Sequence, residues 1–372
     1  MINLKTLYTN GYSGINDYGI ENLNLIELNA TNNEKITKIK HMTNLKILNA
    51  NGKCGIDDNE IKNLNLIKLS VSDNKKITNV NHTTNLKILH VCGKCGIDDI
   101  GIQNLNLIKL NARDNIKITN INHLTNLTKL NASFKCGIND NGIKNLNLID
   151  LCVNGNETIT NVNHMNKLKK LSAGYFSKID NNGIKNLNLI ELNVSSNPKI
   201  NNVDHMSSLK ILCAGSFGID DNGIKNLNLI KLYAFDNRKI TNVNHMFNLK
   251  ILDASGTCGI GDNGIKNLNL NYLNAYDNRK ITNVNHMVNL KVLNADTDCG
   301  IDNNGIKNSN LNVLSACNNK KITNINHMIN LKILHAGGNC GIDNDGIKNL
   351  NLIQFHTFNN KKITTTLRVF TS

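Results

Sequence analysis

The chain has 372 residues, a formal net charge of +14, no Trp, a single Pro and only 7 Tyr and 8 Phe. No apolar run reaches the roughly 18 residues that a membrane-spanning helix requires. Met1 to Asn10 lacks the apolar core of a secretory signal, so composition points to a non-membrane chain in a cytosol-like compartment. A chain this long ordinarily implies two or three domains, but an internal repeat overrides that expectation.

The segment Asn44-Leu-Lys-Ile-Leu-Asn-Ala50 recurs from starting residues 3, 44, 85, 126, 167, 208, 248, 289 and 330. The steps are 41 residues, with one of 40, giving nine copies. Each copy has two similar halves. The first reads Leu45-x-x-Leu48-x-Ala50, then Cys54-Gly55-Ile56-x-Asp58 and Ile61. The second reads Leu66-x-x-Leu69-x-Val71-x-x-Asn74-x-x-Ile77-x-x-Val80. Leu45 to Leu66 is 21 residues and Leu66 to Leu86 is 20, so about eighteen coils of 20 or 21 residues are expected.

The pattern L-x-x-L-x-L-x-x-N/C-x-L resembles the leucine-rich-repeat family. The second halves keep that family's asparagine in every copy, at Asn33, Asn74, Asn115, Asn156, Asn197, Asn237, Asn278, Asn319 and Asn360. The first halves look like the cysteine-containing subtype, as in Ile97-Asp98-Asp99-Ile100-Gly101-Ile102. The resemblance implies an α/β solenoid: one leucine-rich-repeat domain over 1–372, arched, with a parallel sheet on the concave face and short helices or turns on the convex side. Function does not follow from it, because one fold hosts many functions.

The order along each copy is therefore strand, loop with a short helical turn, strand, turn. In the strand around Leu66 to Val71, Leu69 and Val71 point inward while Lys68, Ser70 and Ser72 face outward. One coil cannot bury its apolar side alone, and stacking builds a continuous core. The Asn column suits a buried ladder satisfying backbone groups. The Asp58 column, shared with Asp17, Asp99, Asp140, Asp221 and Asp262, suits a helix N-cap or turn. Met1 leads straight into the first strand without a capping segment, which makes that end a fragment edge or a contact surface. Residues 366–372 read as a degenerate terminal strand.

Cys54, Cys95, Cys136, Cys258, Cys299 and Cys340 share one column two coils apart. Two strand spacings are about 10 Å, beyond disulfide reach, so these are small buried apolar side chains. Cys92-Gly-Lys-Cys95 is a lone CxxC without a second pair. Gly259-Ile-Gly261-Asp-Asn-Gly264 spells a dinucleotide fingerprint outside the βαβ setting that gives it meaning. The histidines from His41 to His327 are likewise spaced too widely to share an ion. No catalytic constellation, metal site or cofactor motif is expected, and the chain reads as a non-enzyme.

Binding residues are sought where the copies disagree. Tyr233 and Phe235 take successive outward positions of one strand, and Tyr272 and Tyr276 take outward positions two coils on. His356 and Phe358 repeat the Tyr233 and Phe235 positions. Phe134, Tyr175, Phe176 and Phe217 follow first-half strands, in the loop leaving the open face. Aromatics exposed on a solenoid face are typical anchors of recognition. The expectation is a scaffold that binds a protein there. The alternatives are nucleic acid held electrostatically along two Lys columns, Lys46 to Lys332 and Lys62 to Lys348, and a self-assembling structural protein. The composition also resembles repeat proteins of amoeba-infecting giant viruses and AT-rich protists, which implies a host protein as partner, in the host cytoplasm.

Overall fold

Each coil opens on a buried leucine and closes its strand on a buried small residue. Leu45, Leu48 and Ala50 are fully buried, as are Leu66, Leu69 and Val71. Between them lie strands of three residues, Ile47–Asn49 and Lys68–Ser70, whose first and last side chains face outward. The computed structural model describes residues 4–11 and 13–364 and holds eighteen such strands in this range. All are parallel, and leucine faces leucine: Leu48 lies opposite Leu69, and Leu69 opposite Leu89. The architecture is a leucine-rich-repeat-like parallel β-solenoid with little helix.

Two compact units divide between Leu187 and Asn188. The first carries nine strands, from Thr6–Tyr8 to Lys170–Ser172, each paired with the next. The second carries nine more, from Glu191–Asn193 to Gln354–His356, paired in the same way. Residues 366–372, expected as a further strand, lie outside the described range. Among the described residues helix is confined to the first half of each copy, as four-residue turns such as Asp58–Ile61 and three-residue turns such as Ile100–Ile102.

A strand of three residues cannot hold its neighbours by backbone alone, and side chains complete the ladder. Asn237 is fully buried. Its Nδ2 donates to the carbonyls of Ala214 and Ile219 in the preceding coil, at 2.7 and 3.1 Å. Its Oδ1 accepts from Lys239 and Ile240 of its own turn. Asn319 repeats the pattern in full, and Asn278 repeats it with one amide, that of Lys280, on its Oδ1. Removing the amide leaves two carbonyls and two amides to be satisfied otherwise, each costing on the order of 1 kcal/mol or more when buried.

The Asp58 column, expected at an N-cap or turn, lies on the turn, and where Asp99 and Asp221 do hold the N-cap position their side chains make no capping bond. The capping bond falls one residue earlier, where Asp57 accepts from Asn59 and Glu60, and Asn139 from Gly142. Asp58 instead reaches the next coil: Oδ1 accepts the amides of Thr78 and Asn79, and Oδ2 the Thr78 hydroxyl at 2.6 Å. Asp17, Asp99, Asp140, Asp221 and Asp262 make the same clamp on Thr37, Thr119, Thr160, Thr241 and Thr282. The position sits on a helical turn, and the sequence alone does not show that a threonine twenty residues later lies against it.

The glycines of the apparent dinucleotide motif serve coil stacking. A Cβ on Gly264 would lie 2.1 Å from the Thr241 carbonyl oxygen, and one on Gly259 2.5 Å from that of Ile240. Gly218, at φ +93°, closes the loop that is one residue short and lacks the column cysteine. The column cysteines are buried free thiols, and burial pushes Cys54 up to about 11 and Cys136 to about 12. His123, His245 and His286 each set Nε2 about 3 Å from a carbonyl of the preceding coil, a packing role.

Two predictions follow from the ladders. Asn237→Ala lowers stability by on the order of 2 to 3 kcal/mol, read as a lower urea or thermal midpoint. Burial raises the Asp17 carboxyl, but bonds from the Thr37 hydroxyl and the Thr37 and Lys38 amides outweigh it and hold the group below 3.8. Its contribution is therefore present above that value and lost as pH falls through the lowered pKa. Asn303 makes the equivalent clamp to Thr323, so Asp17→Asn keeps the bond. Thermal midpoints of the wild type fall more steeply below about pH 4 than those of Asp17→Asn.

Candidate functional site

Outward residues of the second unit form three columns across its strands. In the first, Ile251 lies opposite Tyr272, Tyr272 opposite Val292, Val292 opposite Val313, and Val313 opposite Ile333. All five side chains are half-buried. Strands sit about 4.8 Å apart, so this is a continuous apolar strip on the order of 19 Å long. The same column in the first unit is largely charged, with Lys68, Lys109, Lys129, Asp150 and Lys170. There Lys129 and Asp150 pair across adjacent strands at 3.5 Å.

The predicted aromatics fall around this strip unevenly. Tyr272 is part of it, and Tyr233 sits in the second column, opposite Asp253. Burial, then Cys213, then Asp253 and Glu191, raise the Tyr233 phenol, and burial, then Asp253, then Tyr233, raise that of Tyr272. Tyr276 lies in the third column and is 44% exposed. Phe235 does not project freely: a Cβ on Gly215 would lie 2.4–2.6 Å from three of its ring atoms, so the ring covers that glycine. His356 stacks on His335 with centroids 4.7 Å apart, and Phe358 is 83% exposed beyond it. Phe217 lies exposed in the short loop.

Phe134, Tyr175 and Phe176 belong to the first unit and make a separate group. Arg113 stacks 4.5 Å from the Phe134 centroid, and the Tyr175 ring is 6.3 Å beyond. Phe134, Tyr175 and Phe176 all hold positive φ, and the first two stand where Gly52, Gly93 and Gly256 stand in other copies. The Lys46-to-Lys332 column is half-buried at Lys46 and Lys87 and exposed from Lys169 onward, and it is interrupted, because half-exposed Ile67, Ile108, Ile149 and Ile190 alternate with its lysines.

Of the strip only Tyr272 is among the expected residues. The signal was available: second-half strands carry Lys or an acid at this position up to Lys231, then Tyr272 and Val313. Phe247, Val288 and Ile329 were also passed over. They are exposed by 69–76%, each four residues before a strip member, where the first unit has Thr43, Thr84, Thr125 and Asn166.

Among the described residues no three or more His, Cys, Asp or Glu side chains gather as a metal site, and no helix is long and apolar enough to cross a membrane. No protein-family model and no curated protein matches the chain. Solved structures similar to it include an internalin from Listeria monocytogenes str. 4b F2365, at 22% identity and a TM-score of 0.46, over 78% of this chain and 80% of that one. The functional domain of InlJ from Listeria monocytogenes, which includes a cysteine ladder, matches at 21% identity and a TM-score of 0.44, over 88% of this chain and 66% of that one. TLR13, in a complex with ssRNA13, matches at 18% identity and a TM-score of 0.45, over 98% of this chain and 50% of that one.

The acidic setting of the site has a chemical readout at Cys213. Burial, then Glu191 and Asp253, push its thiol up to about 11 from 9.0. Iodoacetamide labelling of Cys213 at pH 8, followed by peptide mass spectrometry, is expected to run on the order of a hundredfold slower than that of an ordinary exposed cysteine. Asp253→Asn is expected to speed it.

Proposed function

We propose that this chain is a non-enzymatic interaction scaffold that binds a protein on the strand face of its second unit. One observation carries this reading. Five consecutive strands present a half-buried apolar residue in one register, beside Tyr233 and Tyr276, where the equivalent column of the first unit is largely charged. Contiguous apolar surface on an otherwise polar face marks interaction sites, and amphipathic Tyr is enriched among their anchors. The remaining predicted anchors, Phe235, Phe217, His356 and Phe358, flank the strip; Phe134, Tyr175 and Phe176 form a secondary group on the first unit. A reducing, cytosol-like compartment goes with this proposal, supported by the buried free thiols of the cysteine column. The compositional kinship with giant-virus repeat proteins, and with it a host partner, belongs to the same proposal.

Nucleic acid along the Lys columns is the weaker alternative, because every second position of the column nearest the sheet is Ile or Asn and Thr128 takes the place of one lysine. The test is affinity capture from cell lysate, comparing the wild type with Tyr272→Ala/Val292→Asp/Val313→Asp after circular dichroism confirms folding. A protein retained by the wild type and lost from the variant supports the reading. Equal retention of the same proteins, or capture of nucleic acid that collapses between roughly 50 and 200 mM salt, overturns it.

A further inference from the structure

The strip has charged borders of opposite sign. Immediately before three of its members, at the entry edge of the strands, stand the exposed Lys250, Lys291 and Lys332. On the exit side stand Asp253, in the second column, and Asp296, in the third. Asp253 Oδ1 accepts from the Ser255 amide and hydroxyl, and Asp296 Oδ1 from the Cys317 amide and the Ser315 hydroxyl. Among the described residues neither carboxylate is in an ion pair. Two carboxylates without a cationic partner, in a chain of net charge +14, make this side of the strip locally acidic.

The spacing of the strip selects the shape of its occupant. Apolar positions recur about every 4.8 Å along it. An extended segment lying across the strands repeats its side chains on one face every 6.6–6.8 Å, roughly, and falls out of step within two positions. A helix rises about 1.5 Å per residue, so neighbours at i+3 and i+4 recur at about 4.5 and 6 Å. Its apolar stripe therefore stays close to the row of Ile251, Tyr272, Val292, Val313 and Ile333, and about 13 residues span it.

We infer that the strip seats an amphipathic helix of three to four turns whose apolar stripe is bordered by Lys or Arg facing Asp253 and Asp296, and by Asp or Glu facing Lys250, Lys291 and Lys332. This rests on the scaffold reading and specifies its partner by chemistry. The mode is a helix laid along an apolar row, with the charged borders fixing its direction.

The experiment uses the full chain and fluorescent peptides of about 14 residues, stapled to hold the helix because free peptides of that length are marginal helices. One carries a Leu stripe with Lys on one border and Glu on the other. A second has Glu on both borders. A third has the first peptide's composition broken by two central prolines. Anisotropy is expected to show the first binding about tenfold more tightly than the second, the effect of one well-placed charge pair. The proline-broken peptide is expected to bind weakly. Asp253→Lys/Asp296→Lys is expected to reverse the preference for the first peptide over the second, a gain that misfolding cannot produce. Equal binding of the first two peptides overturns the charge assignment, and equal binding of the broken peptide overturns the helix. Failure of every peptide overturns the inference too, while the scaffold reading falls only if lysate capture also fails. Self-association in sedimentation velocity that is abolished by Val292→Asp/Val313→Asp seats a second copy on the strip instead, and also overturns the helix.

Discussion

The buried asparagine beyond every second strand is the interaction on which the solenoid depends. A three-residue parallel strand offers few backbone bonds, and the chain must turn away from the sheet immediately after it. That turn carries carbonyls inward, where water cannot meet them. The asparagine amide supplies donors to the preceding coil and an acceptor to its own turn. It therefore holds the spacing between coils as well as the shape of each one. Leucine burial gives the driving force, but it is indifferent to register. The amide fixes which coil lies opposite which.

On the outside, the aspartate clamps perform a related task. Each carboxylate joins a helical turn to the threonine of the next coil, at the back of the repeat where no sheet exists. Sheet, asparagine and clamp act at three separated points between the two coils of a copy, as between 214–221 and 232–241. Such a cross-section resists sliding at any one of them, which frees the outward positions from structural duty. That freedom is visible where one outward column is largely charged in the first unit and apolar over five strands in the second.

Much of this was legible in the sequence, because the repeat reports its own period. Leu45, Leu48 and Ala50, the asparagines and the cysteine column are expected in the interior from the repeat and from its resemblance to leucine-rich repeats, and they lie there. Contacts between coils were harder. The partner of Asp58 lies twenty residues away, and a carboxylate before a helical turn reads as a cap until the neighbouring coil is seen. Rarity singles out Tyr233 and Tyr272 but not Val292 and Val313, which are ordinary residues in ordinary places. Their meaning lies in being adjacent across strands, a relation that single-residue rarity does not report. Phe235 shows the converse: rare and outward by count, it lies over Gly215.

The register of leucine on leucine has a consequence for how such a face changes over generations. Every 41-residue copy begins and ends at an equivalent point of the coil, so gaining or losing a copy cuts no core contact that the next copy cannot remake. A duplication inside 250–333 would lengthen the apolar row by two strand spacings, about 10 Å. A deletion would shorten it by as much. The dimension that decides which partner fits is thus editable in whole steps by gain or loss of a copy, while point changes within a copy set its polarity. Length and chemistry of the binding row are inherited through different kinds of mutation.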